Sequence, residues 1–384
     1  MGLFFSSTIA IAEEPPKSWF QQITINALAS TSYTWNFNDP LSKTNQYRAF
    51  DYDHNSIRID AAEVVLQKAV VNPGDFGFRI DVAMGAAAHV AAARGLFRDP
   101  ATGASGDFDL QQVVASYIAP IGKGLRFDLG KFVTPVGYEL IEGYDGYNDV
   151  FSHSWLFTYG PYTHTGLKLS YAFSDKIGAM VMLINGWDSV IDNNAAKSFG
   201  ASLSITPTSA LSIYLNYIGG PERDNDNTSW RHLADLVAVY KPVTRLALAL
   251  NVDYGREQNG LPQPPSMVPQ TTDPMPATTA PAMIITTPDA QWAMFDLYLR
   301  LQATRRFALI VRGEVFLDFD GNRTGTAQRL MSATIVPEFR ITDALLMRAE
   351  FRIDGSDHRV FEDNSGNLTH HYQPTLAING IYAF

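Results

Sequence analysis

Four carboxylates, Glu139, Glu142, Asp145 and Asp149, stand close together in a stretch, Phe132 to Leu167, that holds no lysine or arginine. Uncompensated acids in one place can gather cations in a focused field. Beside a histidine they can also move protons or hold a metal. His153 and His164 are near, but neither has a third ligand at metal-binding spacing. His370 and His371 are adjacent, so on a strand they point to opposite faces and cannot share an ion. The chain has no cysteine, which excludes disulfides, thiol catalysis and cysteine-ligated metals. No Gly-Lys-Ser/Thr phosphate loop, HExxH or Gly-x-Ser-x-Gly occurs. No catalytic set, metal or cofactor is expected. The acids read as a field, not a reaction centre.

The remaining charges fall into a pattern of period two. Between 23 and 37, Ile23, Ile25, Ala27, Ala29, Thr31, Tyr33, Trp35 and Phe37 alternate with mostly polar residues. Side chains alternate across a strand, so one face is apolar and the other polar. The split recurs at Leu246, Leu248, Leu250 and Val252 against Arg245, Asn251 and Asp253, and at Leu345, Met347, Ala349 and Phe351 against Arg348, Glu350 and Arg352. It is less clean around 57–69, 110–121 and 177–187, where a bulge or a partly filled interior is expected. Sixteen strands follow, near 22–37, 55–70, 76–91, 110–121, 125–134, 162–173, 177–187, 197–206, 211–219, 230–241, 245–255, 291–303, 307–318, 328–341, 345–354 and 369–384.

These strands exceed the usual 5–6 residues and suit the 9–11 that cross a bilayer. Short turns such as 72–75, 121–124 and 174–176 alternate with long polar loops at 38–54, 92–108, 135–161, 219–229, 256–290 and 355–368. That asymmetry marks an outer-membrane barrel. The fold class is therefore all-β, a single antiparallel up-and-down transmembrane β-barrel with both termini on the periplasmic rim. A helical span needs roughly 20 apolar residues, and no such run occurs. Residues 1–12 read as a signal-peptide-like segment ending Ala10-Ile11-Ala12, although no basic residue precedes Lys17. Residues 13–21 form a short periplasmic segment, and 22–384 the barrel, with a Pro-rich extracellular loop at 256–290. Aromatics are expected to girdle the apolar band: Tyr33, Trp35, Trp187, Tyr217, Tyr254 and Tyr372 at the long-loop ends, and Phe76, Phe78, Phe127, Phe173, Tyr240, Phe307 and Phe384 at the short-turn ends.

In such a barrel the polar face lines a water-filled lumen. Parity places Arg58, Asp60, Arg79, Asp81, Arg126, Asp128, Lys168, Arg231, Asp235, Arg245, Asp253, Asp296, Arg300, Arg312, Glu314, Asp318, Glu338, Arg340, Arg348, Glu350, Arg352 and Asp354 there. The wall is balanced between the two signs. Asn251 should accept an arginine because it faces water, whereas Leu248→Arg on the lipid face should cost about 2–4 kcal/mol near the midplane. The loop at 135–161 also carries Tyr138, Tyr144, Tyr147, Trp155, Phe157 and Tyr159. So much apolar surface argues that it folds inward, placing its acids at a constriction and giving a weak cation preference; the alternative is an extracellular lid over the mouth. An anion-selective wall would instead be governed by lumen arginines, Arg79, Arg126, Arg312 and Arg348 first. The net charge of −10 argues against nucleic acid.

Leu376, Ile378, Tyr382 and Phe384 share one face of the last strand and resemble the C-terminal signal read by the Gram-negative barrel-assembly machinery. The stretch Gly130-Lys131-Phe132-Val133-Thr134-Pro135-Val136-Gly137-Tyr138-Glu139 is similar to the β-barrel porin-2 (OmpL-like) family. So are Gly143-Tyr144-Asp145-Gly146-Tyr147-Asn148-Asp149, Thr163-His164-Thr165-Gly166, Asn185-Gly186-Trp187-Asp188 and Asp192-Asn193-Asn194. The resemblance implies an outer-membrane porin of a Gram-negative bacterium, a passive channel for small hydrophilic solutes or ions. Its partners would be outer-membrane lipid, lipopolysaccharide and the assembly machinery, with a homotrimer among the assemblies it allows. The alternative is a non-transporting scaffold, such as the sheath of a porin–cytochrome conduit or an envelope anchor.

Overall fold

The computed structural model describes residues 18–99, 101–144, 146–261 and 287–384. The signal-like segment, Asp145 and most of the Pro-rich loop (262–286) lie outside the described residues. Sixteen strands close into one antiparallel barrel. In chain order they are β1 (Thr24–Asn36), β2 (Ser56–Lys68), β3 (Phe76–Met84), β4 (Phe108–Ala119), β5 (Leu125–Val133), β6 (Thr163–Ala172), β7 (Ile177–Ile184) and β8 (Ser198–Thr208). Then come β9 (Leu211–Pro221), β10 (Trp230–Val243), β11 (Leu246–Glu257), β12 (Ala290–Gln302), β13 (Phe307–Asp318), β14 (Gln328–Arg340), β15 (Leu345–Ser356) and, after a small ribbon of β16 (Phe361–Glu362) and β17 (Leu368–His370), the closing strand β18 (Tyr372–Ala383). Each pairs with its neighbours in sequence order, and β1 meets β18 with Leu28 opposite Ala383. Closure removes the open edges that lipid could not satisfy.

The alternation positions the side chains as period two requires. Ile25, Ile57, Leu129, Val181, Leu297 and Ile378 point outward and are exposed, which is the lipid-facing band. Leu376, Tyr382 and Phe384 share that face. Two of the irregular segments hold bulges. The β1–β2 register shifts at Asp60, and the β3–β4 register shifts at Gln111. The third, β7, pairs regularly but presents Met182 and Ile184 inward, both buried. Strand β3 is shorter than expected. Gly85 has φ +104° and a Cβ there would meet the Ile59 carbonyl oxygen at 2.9 Å. The chain turns at that glycine into a short helix, α1 (Ala86–Ala91), instead of extending to residue 91.

The interior departs further from the alternation. In the long-loop half, inward apolar side chains of β4, β5, β7, β9, β10, β12, β13 and β14 (among them Phe132, Ile184, Ile218, Leu233, Trp292 and Phe316) form one buried cluster with Val136, Trp155 and Leu156. This part of the interior is filled by apolar side chains instead of water. The reason is visible in the strands, whose inward faces turn apolar toward their long-loop ends. Trp187, expected in the lipid girdle, belongs to this interior cluster, with the Arg231 guanidinium 4.9 Å from its ring centre. At the long-loop rim Phe199, Tyr217 and Trp230 do pack together, edge to face or tilted.

Candidate functional site

The segment joining β5 and β6, residues 134–162, crosses the barrel interior. Its backbone is the reason it can. A chain leaving a sheet must satisfy its own N–H groups wherever it is buried, and the wall supplies acceptors. Glu350 accepts from Phe151 N (2.7 Å) and Ser152 N (3.1 Å), and Glu314 accepts from Trp155 N (2.9 Å). Asn251 Oδ1 accepts from Tyr138 N at 2.7 Å, and Glu63 accepts from Tyr144 N at 2.6 Å. A five-residue helix, α2 (Trp155–Tyr159), is capped by Ser154, whose Oγ accepts from Phe157 N. Trp155 is 1% exposed and donates its indole N–H to the Tyr47 carbonyl.

The loop acids meet wall arginines. Glu139 lies 2.8 Å from Arg312 and accepts from the Tyr298 hydroxyl at 2.9 Å. Glu142 lies 2.6 Å from Arg348, and Asp149 lies 2.7 Å from Arg300. The structure thus brings together Glu139, Glu142, Asp149, Arg300, Arg312, Glu314, Arg348 and Glu350. Arg352 joins them through Glu314 at 3.4 Å and sits over the Trp155 ring at 5.1 Å. Asp296 is close to the Tyr298 hydroxyl at 3.3 Å. The expectation that the acids stand uncompensated is therefore corrected, because each described one is within hydrogen-bonding distance of a guanidinium.

Other wall charges lie elsewhere. Arg79 pairs with Asp81 (2.8 Å) on β3, and Arg126 with Asp128 (2.8 Å) on β5, where Lys168 of β6 is 3.5 Å away. Arg245 sits at the short-turn rim, exposed, and Asp253 is fully buried beside Asp235 in the β10–β11 register. His153 is stacked between Phe50 and Phe157, with ring centres 4.1 and 4.6 Å away. His164 bridges the Gly186 carbonyl and the Thr134 hydroxyl.

Three participants are not marked as site residues by the sequence, and for the first of them parity offers no signal at all. Arg48, in the loop after β1, turns inward to Asp354, Asp51 and Thr375. Tyr298 follows the wall parity but is neutral. Asn251 is 1% exposed and ties Asp235 (2.6 Å) to the loop backbone. This last finding reverses the expectation that Asn251 faces water. Asn251→Arg should overpack the site, costing about 1–3 kcal/mol, and leave Tyr138 N–H without its acceptor. Leu248, third in β11 and near the short-turn rim, should lose less than the midplane figure when changed to arginine. The temperature at which the folded band disappears on gels measures both.

At the long-loop rim, Glu222 follows β9 and accepts from Trp187 N (2.8 Å) and Ser198 Oγ (2.7 Å). Burial pushes its carboxyl up to about 7, against the pull of Arg231 and with a further push from Asp188. A carboxyl held above its unfolded value of 4.5 contributes stability that is full below pH 4.5 and lost as pH rises toward 7, about 3 kcal/mol in all. The unfolding temperature of the wild type minus that of Glu222→Gln should fall across that window. A flat difference would contradict it.

Taken as a whole, the barrel is similar in fold to several solved channels. The chain is similar to the outer-membrane channel DcaP of Acinetobacter baumannii (TM-score 0.60, 8% identity, 94% of this chain and 97% of that one). It is similar also to an anion-selective porin of Comamonas acidovorans (0.58, 9%, 94% and 99%) and to Salmonella typhi OmpF solved in complex with daunomycin (0.57, 11%, 94% and 97%). Those identities speak for the fold alone. No curated protein matches the chain in sequence. A family model does, over residues 22–384, which is the whole barrel. The chain thus belongs to the family described as putative beta-barrel porin-2, OmpL-like, and is an outer-membrane porin.

Proposed function

We propose that this porin is a narrow diffusion channel for small hydrophilic solutes, its conductance set by the loop 134–162. The observation that carries the reading is the docking of that loop, through Glu139, Glu142 and Asp149, onto the arginines of β12, β13 and β15. A segment so held takes up cross-section that sixteen strands would otherwise leave open. The weak cation preference expected from the four acids is weakened, since Glu139, Glu142 and Asp149 are paired with arginines and paired carboxylates set little field. A sheath around a periplasmic electron carrier would need a lumen free of inward loops, and this lumen holds the chain's own. In planar bilayers the purified full chain should give small, ohmic conductance steps, and liposomes holding it should swell in small sugars. Absence of both would defeat the channel reading.

A further inference from the structure

Beneath the inward loop, in the short-turn half of the β5–β12 wall, the strand charges that meet solvent are basic, with Asp149 of the loop, equally exposed, set against Arg300. All the wall acids read from strand parity, Asp60 through Asp354, are buried, whereas of the bases only Arg312, Arg348 and Arg352 are equally so. The side chains of Arg126, Lys168 and Arg300 keep 44%, 23% and 21% of their surface exposed. Asp128, set between the first two, keeps 3%. It is covered by the Ser116 hydroxyl at 2.6 Å, by Arg126 Nε and by Lys168, so one sequestered carboxylate serves two cations. A cavity of about 400 Å³ opens beside them, lined by Arg126, Ser170, Met180, Ser202 and Ser204. A second, of about 530 Å³, is lined by Lys241, Arg245, Arg300 and Gln302. The short turns around this rim add Lys123, Lys176, Arg305 and Arg306 against Asp75, Asp175 and Asp343.

A guanidinium beside an ammonium, with serine hydroxyls next to them, matches the acceptor oxygens of a carboxylate or phosphate. A low-dielectric wall concentrates such a field. We propose that the short-turn chamber is a binding step for small oxyanions, with Arg126 and Lys168 as its cationic pair and the hydroxyl of Ser202 as a neutral donor. The assignment rests on reading the lumen as a solute path, and it makes the porin anion-preferring.

The absence of cysteine allows a direct test that needs no current. Ser202→Cys and, separately, Ser204→Cys would be labelled in the folded full chain with an anionic (sulfonatoethyl) and a cationic (trimethylammonium-ethyl) methanethiosulfonate. Relative to Ser365→Cys on the exposed last loop, the anionic reagent should be favoured by about tenfold or more at low salt. Inorganic phosphate should slow it, and the preference should fade as salt shortens the Debye length to about 3 Å at 1 M. Adding R126Q and K168Q should bring the ratio down to that of Ser365→Cys and abolish the phosphate effect. Adding K43Q and R329Q, which removes equal charge outside the chamber, should change neither. A rate ratio no different from that of Ser365→Cys, or a preference that survives R126Q/K168Q, would overturn the anion site even in a chain that conducts. A strong anionic preference in a chain that carries no current would instead overturn the channel.

Discussion

Deleting residues 140–150 should raise the single-channel conductance several-fold. The deletion removes Glu142 and Asp149, which bind Arg348 and Arg300, and the backbone that Glu63 and Asn148 hold in place. It leaves β5 and β6 their full register, Arg126 opposite Ser170 through Val133 opposite Thr163, so the barrel itself should still close. What is lost is the matter filling the lumen beside β12–β15. Folded-band integrity on gels would separate an opened pore from a collapsed barrel. Unchanged conductance in a folded barrel would mean that the loop lies over the mouth and constricts nothing.

The second large effect is expected at Arg312. Its guanidinium is fully buried and reaches Glu139 and Glu314, both at 2.8 Å, as well as the Ser152 carbonyl and hydroxyl. Removing one partner from such a cluster strands the others, since a buried charge without its counterion costs about 3–5 kcal/mol. Arg312→Ala should therefore lower the unfolding temperature sharply and loosen the loop, raising conductance noise. Replacing Arg312, Glu139 and Glu314 together by Met, Gln and Gln should recover part of the loss, because both carboxylates that the arginine pairs with are neutralised along with it. A mild effect of Arg312→Ala alone would show that water reaches this cluster.

The strands and their facing were legible because period two is a local property. Leu376, Ile378 and Tyr382 on the lipid side, or Arg348, Glu350 and Arg352 on the inner side, follow from counting by twos. The aromatic content of the loop 135–161 pointed inward too, but it left an extracellular lid as an equal alternative. What could not be read was its charge state. Glu139 meets Arg312 across 173 residues, and Glu142 meets Arg348 across 206. Parity says that a side chain points inward, not which side chain waits there. The packed long-loop half escaped for a related reason. Ile184, Ile218, Leu233 and Phe316 sit on faces that alternation assigns to water, and only the arrival of Trp155 and Leu156 from another part of the chain makes them a core. The surplus of exposed bases in the short-turn half is likewise a matter of depth, since the wall is balanced when its residues are merely counted.

Amide hydrogen exchange over residues 148–157 tests most directly whether this loop is part of the barrel interior. The N–H groups of Phe151, Ser152, Ser154 and Trp155 donate to Glu350, Glu139 and Glu314, carboxylates that are themselves buried. They should exchange as slowly as those of β13 and β14, and Arg312→Ala should speed them. Exchange in the wild type as fast as in the exposed stretch 101–104 would contradict the account, for it would place the loop in solvent above an open barrel.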